Sequence, residues 1–205
     1  MTFDDWAIFM AVWVLASLPL GSNALNCISA STAQGLGAGL WSVAGVTLAA
    51  MMHMSLALTG LAAFMNANPV LFEVIRWLGV GYLAWMGLAM FRSAKDAQIT
   101  RTSAGAKPWH LVRKAILISL SNPKSIFVWL AVFSQFIATK EPLAPQLVIL
   151  APSALAVTIA VYVAYATLGL GVGRVLAGRR KVWFDRITGS TYLAFGLAAS
   201  DLRRG

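Results

Sequence analysis

Between Asp5 and Glu73 the chain runs through 67 consecutive positions that carry no formal charge. Apolar windows fall near 5–31, 40–65, 71–91, 113–138, 146–172 and 184–201. Each approaches or exceeds the roughly 20 residues that a helix needs to cross hydrocarbon. They predict six transmembrane helices, because lipid offers backbone amides no partner outside a helix, and the windows are too long for barrel strands. Turn chemistry separates them: Gly35, Gly37 and Gly39 after the first window, Asn66, Asn68 and Pro69 after the second, Pro142 and Pro145 after the fourth. One long polar stretch, 92–114, stands out. It divides the chain into a first three-helix repeat at 1–91, a linker loop, and a second three-helix repeat at 115–205.

Three helices per half is an odd number, so two related halves would insert with opposite topology. The first helix of each half carries a helix-breaking polar segment: Pro19-Leu20-Gly21-Ser22-Asn23 and Ser121-Asn122-Pro123-Lys124-Ser125. A proline removes a backbone hydrogen bond and leaves carbonyls exposed. Such backbone survives at membrane depth only inside protein or beside a wet cavity. The predicted fold is therefore an all-α integral membrane protein with two inverted three-helix repeats, whose first and fourth helices are broken at a midplane substrate site.

Composition sharpens this. Hydrophobic residues make up 59% of the chain and charged residues 11%, with mean hydropathy +0.75, which excludes an ordinary soluble domain. The net charge of +9 first suggests nucleic acid, but the basic residues sit in loops flanking apolar spans, where they orient a protein in a bilayer. With six spans, eleven of the sixteen Lys and Arg residues fall on the side of the 92–114 loop and four on the other. That bias predicts a cytoplasmic linker and both termini outside, which is periplasmic for the bacterial inner membrane expected of this chain. The acidic N-terminal segment, with Asp4 and Asp5, argues against a cleavable signal peptide.

Several chemistries lack their parts. Cys27 is the one cysteine, and His53 and His110 lie far apart, so no metal site is expected. The spans hold neither a Ser-His-Asp arrangement nor paired carboxylates. Gly169, Gly171 and Gly173 have the wrong spacing for a nucleotide loop and read as the loosened end of the fifth helix. Neither a cofactor nor a self-contained ATP-driven pump is expected.

Candidate binding residues cluster at the breaks. Gly21 allows close backbone approach, and Ser22, Asn23 and Asn26 supply donors and acceptors without a desolvated charge, as a zwitterion requires. Helix packing alone is the competing explanation for small polar residues. Asn122 and Pro123 precede Lys124, the one basic residue well inside a span. If the apolar core begins near Ala115, a straight helix places Lys124 roughly 13 Å deep in a ~30 Å core. A buried ammonium there should face a cavity or a partner such as a substrate carboxylate. His53, mid-span, and Glu73, near a span end, are the candidates for proton coupling. Gln135, Thr158, Tyr162 and Tyr165 are further polar groups that could line a pathway.

These residues resemble the lysine exporter family, and within it the homoserine/threonine resistance branch, over nearly the whole chain. The resemblance rests on Gly21-Ser22-Asn23-Ala24-Leu25-Asn26 with Gly35, Gly39 and Gly45, on the segment from Phe72 to Gly87, and on Leu120-Ser121-Asn122-Pro123-Lys124-Ser125-Ile126-Phe127. Gln135-Phe136, Tyr165-Ala166-Thr167-Leu168 and Gly189 extend it. It implies a small six-helix exporter of amino acids or close derivatives, driven by the membrane potential or a proton gradient. Its implied partners are a small-molecule amino acid and the lipid bilayer, with a homodimer as a candidate assembly and no nucleic acid. The chain departs from the family pattern twice. Leu20-Gly21-Ser22-Asn23 stands where Pro-Gly-Pro-Asn is usual, and Thr158 stands where relatives often carry an aspartate. A membrane-embedded enzyme, an assembly factor and a passive channel are the alternative classes.

Overall fold

The computed structural model describes residues 2–67, 69–92, 105–138 and 141–172. All regular structure among them is helical: α1 (Phe3–Ser17), α2 (Ser22–Gln34), α3 (Leu36–Ala67), α4 (Pro69–Arg92), α5 (Pro108–Leu120), α6 (Pro123–Phe136) and α7 (Leu143–Val172). No strand occurs among the described residues. The predicted sixth span at 184–201, with Gly189 and the basic residues from Arg174 to Arg186, lies outside them. Helices α3 and α7 are each long and apolar enough to cross a membrane, and counting each bent pair as one span brings the number to four. The described residues thus hold two to four candidate spans, against six windows in the sequence.

Both predicted breaks are present. Helices α1 and α2 meet at 64°, and α5 and α6 meet at 63°. At the first break α1 stops at Ser17, and the Gly21 N–H donates to the Pro19 carbonyl at 2.7 Å. The carbonyl of Leu18, which a continuous helix would have used, accepts the Tyr165 hydroxyl from α7. At the second break Ser121 ends α5, and Asn122 caps α6 by accepting the Lys124 backbone N–H at 3.1 Å. Pro123 takes the first helical position, where its missing N–H costs nothing. Lys124 therefore starts a new helix after a sharp turn. Its depth does not follow from counting 1.5 Å per residue along a straight one.

Helix α5 begins at Pro108, after Lys107 at the N-cap position, so the helix takes in the last residues of the predicted linker, including His110, Arg113 and Lys114. Small residues set the helix spacing, as expected where lipid supplies no hydrophobic drive for association. A Cβ on Gly45 of α3 would lie 2.4 Å from the Val112 carbonyl oxygen of α5. On Gly169 it would lie 2.8 Å from the Ile28 carbonyl oxygen of α2. Gly169 and Gly171 are inside α7, which stays helical to Val172. Gly173 lies outside the described residues; where this stretch is described it is helical and not loosened, and Gly169 stands where α2 crosses α7 in contact.

The largest core cluster is aromatic. Phe9 and Trp13 of α1 meet Trp129 and Phe133 of α6, all at most 5% exposed. The first half of one bent pair is thereby packed on the second half of the other. Trp6 donates its indole N–H to the Ser153 hydroxyl at 3.0 Å, tying α1 to α7 as well. Gln146, 3% exposed, folds back on the connection before α7, accepting the Ala138 N–H at 2.8 Å and donating to the Pro142 carbonyl at 3.1 Å.

Candidate functional site

The two breaks are joined by a pair of side-chain hydrogen bonds. Asn23, on the first turn of α2, donates from Nδ2 to the Ser119 hydroxyl on the last turn of α5, at 3.1 Å. Asn122, at the cap of α6, donates from Nδ2 to the Ser22 hydroxyl at 3.3 Å. Each broken helix thus offers an asparagine from its own break to a serine of the other.

Beneath this clasp lies a cavity of about 70 Å³. Its polar lining includes Asn23, His53, Asn122, Lys124, Thr158 and Tyr162, with Gly21 and Pro19 contributing from the first break. The N-terminal residues of two half-helices therefore face one space, and such termini carry partial positive charge from unpaired amides. The α2 terminus has no side-chain cap. Lys124 adds a full positive charge, and no carboxylate lines the cavity among the described residues. A negatively charged group is what this arrangement can hold.

Two lining side chains carry buried atoms with no hydrogen-bond partner among the described residues: the Asn23 Oδ1 and both ring nitrogens of His53. Asn23 is 5% exposed and His53 3%. An unmade hydrogen bond on a buried polar atom costs about 1–3 kcal/mol. A bound polar solute or water would recover that cost. His53 reaches the cavity from the middle of α3, which has no break of its own.

A family model for LysE type translocators matches residues 14–200. The chain belongs to that family. Among curated proteins, the translocator is 29% identical to a homoserine/homoserine lactone efflux protein of Salmonella typhimurium, over 99% of both chains. It is also 29% identical to an uncharacterized membrane protein of Vibrio cholerae, over 96% of this chain and 97% of the other. A leucine efflux protein of Enterobacter is 31% identical over 64% of this chain and 63% of its own. No solved structure gives a significant match.

The translocator's structure sorts the residues singled out from sequence. Gly21, Asn23, His53, Asn122, Lys124 and Tyr162 come together at the cavity. Ser22 stands at the clasp, outside the lining. Asn26 is 4% exposed and lies on α2 outside the cavity lining, with its Nδ2 unpartnered among the described residues. Tyr165 serves the backbone of the first break instead of the cavity. Gln135 donates to Ser134 at 3.4 Å near the far end of α6. Glu73 is on α4, partly buried and away from the lining.

Several lining residues of this translocator escaped the sequence reading, Trp13 and Trp129 the bulkiest among them. A signal existed. Trp6, Trp41, Trp77, Trp109 and Trp183 fall near predicted span ends, where indoles favour the interface, leaving Trp13, Trp85 and Trp129 in mid-span. Two of those three face the cavity.

Proposed function

We propose that this translocator is a secondary transporter that exports a small, neutral amino acid or a close derivative across the bacterial inner membrane. The observation that carries the reading is the convergence of Lys124, Asn122, Asn23 and Gly21 from two broken helices on one cavity. Lys124 and the amide ends of α2 and α6 bind the substrate carboxylate, and the unpartnered Asn23 Oδ1 accepts from its ammonium. With a cation and no carboxylate in the lining among the described residues, a basic side chain would meet repulsion there. The names of the relatives support an amino acid: homoserine and its lactone for one, leucine for another.

The matched bends of 64° and 63° support two inverted three-helix repeats, with the break in the first helix of each. In this reading six spans place both termini in the periplasm, following the eleven-to-four division of basic residues. Reporter fusions at the C-terminus are expected to be active only outside; a cytoplasmic C-terminus would overturn the orientation.

Counterflow in proteoliposomes tests the function. Vesicles preloaded with an unlabelled neutral amino acid are expected to take up the same labelled compound transiently, with no net gradient. Only an alternating carrier does this. Equal uptake into empty vesicles would identify a passive channel, and absence of exchange for all amino acids would reject the substrate class.

A further inference from the structure

We propose that Trp129, braced by Trp13, sets the upper size of the side chain that the cavity accepts; this rests on the amino acid exporter reading above. The cavity's roughly 70 Å³ corresponds to roughly five to seven water-sized positions. A zwitterionic head occupies a large part of a space of that size, so the side chain is the part that meets the walls.

The wall that limits the rest is fixed from several directions. The Trp13 and Trp129 rings lie with centroids 4.4 Å apart at 63°, one from each bent helix pair. Trp13 donates its indole N–H to the Thr158 hydroxyl at 3.0 Å, and Thr158 donates on to the Ala154 carbonyl at 2.7 Å. Trp129 stacks on Phe133 at 5.4 Å, and Phe133 also meets Trp13 edge-on at 5.5 Å. A ring so held does not swing away at low cost, because interiors packed to this density have few alternative rotamers. The apolar indole surface also offers nothing to a charged side chain except desolvation. On α3, Ala50 lines the same cavity and is 4% exposed, so its methyl leaves space that a larger residue would occupy.

The wall can be moved in both directions. Trp129→Leu should widen the cavity, and Ala50→Leu should narrow it. Counterflow is measured in full-length protein reconstituted at equal density, with labelled glycine, alanine, serine, threonine, leucine and phenylalanine as probes. Thermal stability in detergent is recorded for each variant. The wild type is expected to exchange the smaller compounds and to slow by about tenfold or more at phenylalanine, the scale of discrimination a hydrophobic pocket reaches for a few carbons. Trp129→Leu is expected to raise the leucine-to-alanine rate ratio by about tenfold. Ala50→Leu is expected to lower the threonine-to-glycine ratio by a similar factor. Should one variant fail to insert, the other still decides, since they act oppositely from different helices. A wild type that exchanges phenylalanine as fast as alanine overturns the proposal, as does an unchanged size profile in the variants that insert. A wild type that exchanges no amino acid overturns the exporter reading and this proposal with it.

Discussion

Lys124→Ala is expected to reduce counterflow by between one and four decades while leaving membrane insertion and thermal stability unharmed or improved. Removing the partner of a buried, hydrogen-bonded carboxylate costs about 2–5 kcal/mol, and each 1.4 kcal/mol is about a factor of ten. The loss falls on transport because Lys124 lines the proposed substrate cavity from the first turn of α6. Stability should not suffer, because an ammonium in a partly buried cavity gives up hydration and so is itself costly to place there. Lys124→Met separates charge from stem: it keeps the apolar reach and should be as inactive as the alanine variant. Lys124→Arg keeps the charge, but its planar fork takes more room than a point cation, so partial activity is expected. Exchange rates at equal reconstitution, with melting curves in detergent, check all three. Alanine and methionine variants that transport like the wild type would make Lys124 a residue that merely extends toward water, and the carboxylate would need another partner.

The breaks were legible in the sequence because proline and asparagine act locally. α7 runs on through Pro152, so a proline alone does not mark a break; Pro19 and Pro123 do so because each stands beside Gly21-Ser22-Asn23 or Asn122, and Asn122 is a strong N-cap wherever it falls. The convergence of Asn23, Asn122 and Lys124 followed from that punctuation and from the cost of burying their polar groups. What the sequence concealed is which way each helix faces. A membrane helix that is apolar on every side has no amphipathic stripe to show its inward face. Hence Gln135, Tyr165 and Asn26 had the right chemistry inside apolar windows, yet lie outside the cavity lining. Tyr165 is instructive: the carbonyl it satisfies exists only because α1 stops at Ser17, a need visible once α7 is packed against the break. Trp13 and Trp129 were hidden for the opposite reason, since a mid-span tryptophan looks like ordinary core until its ring is seen at a cavity wall. Gly169 was misread because a glycine near a helix end resembles a terminus, and the neighbouring α2 that requires it is over a hundred residues away in sequence.

His53→Gln is expected to abolish proton-driven accumulation while preserving counterflow, whereas Glu73→Gln should alter neither. A carrier that exchanges a proton for substrate needs a titrating group that the substrate pathway reaches. Of the two candidates, the structure brings His53 to the cavity and leaves Glu73 on α4, away from it. Imidazole changes charge within the physiological range, and both His53 ring nitrogens lack a partner among the described residues, so neither is committed to holding the helices together. Lys124 shares the lining with it, and among the described residues the rest of the lining is neutral. Protonating His53 with the substrate site empty, and releasing that proton as the zwitterion arrives, would link the two movements through a single cavity. Glutamine keeps a donor and an acceptor at similar reach but cannot titrate, so binding and exchange survive while the coupling is lost. The measurement is accumulation of labelled substrate in liposomes under an imposed pH gradient, with counterflow run alongside on the same preparations. Retained proton drive in His53→Gln would remove His53 from the coupling. Loss of drive in Glu73→Gln alone would place it on α4, and a double variant that still responds to the gradient would eliminate both residues.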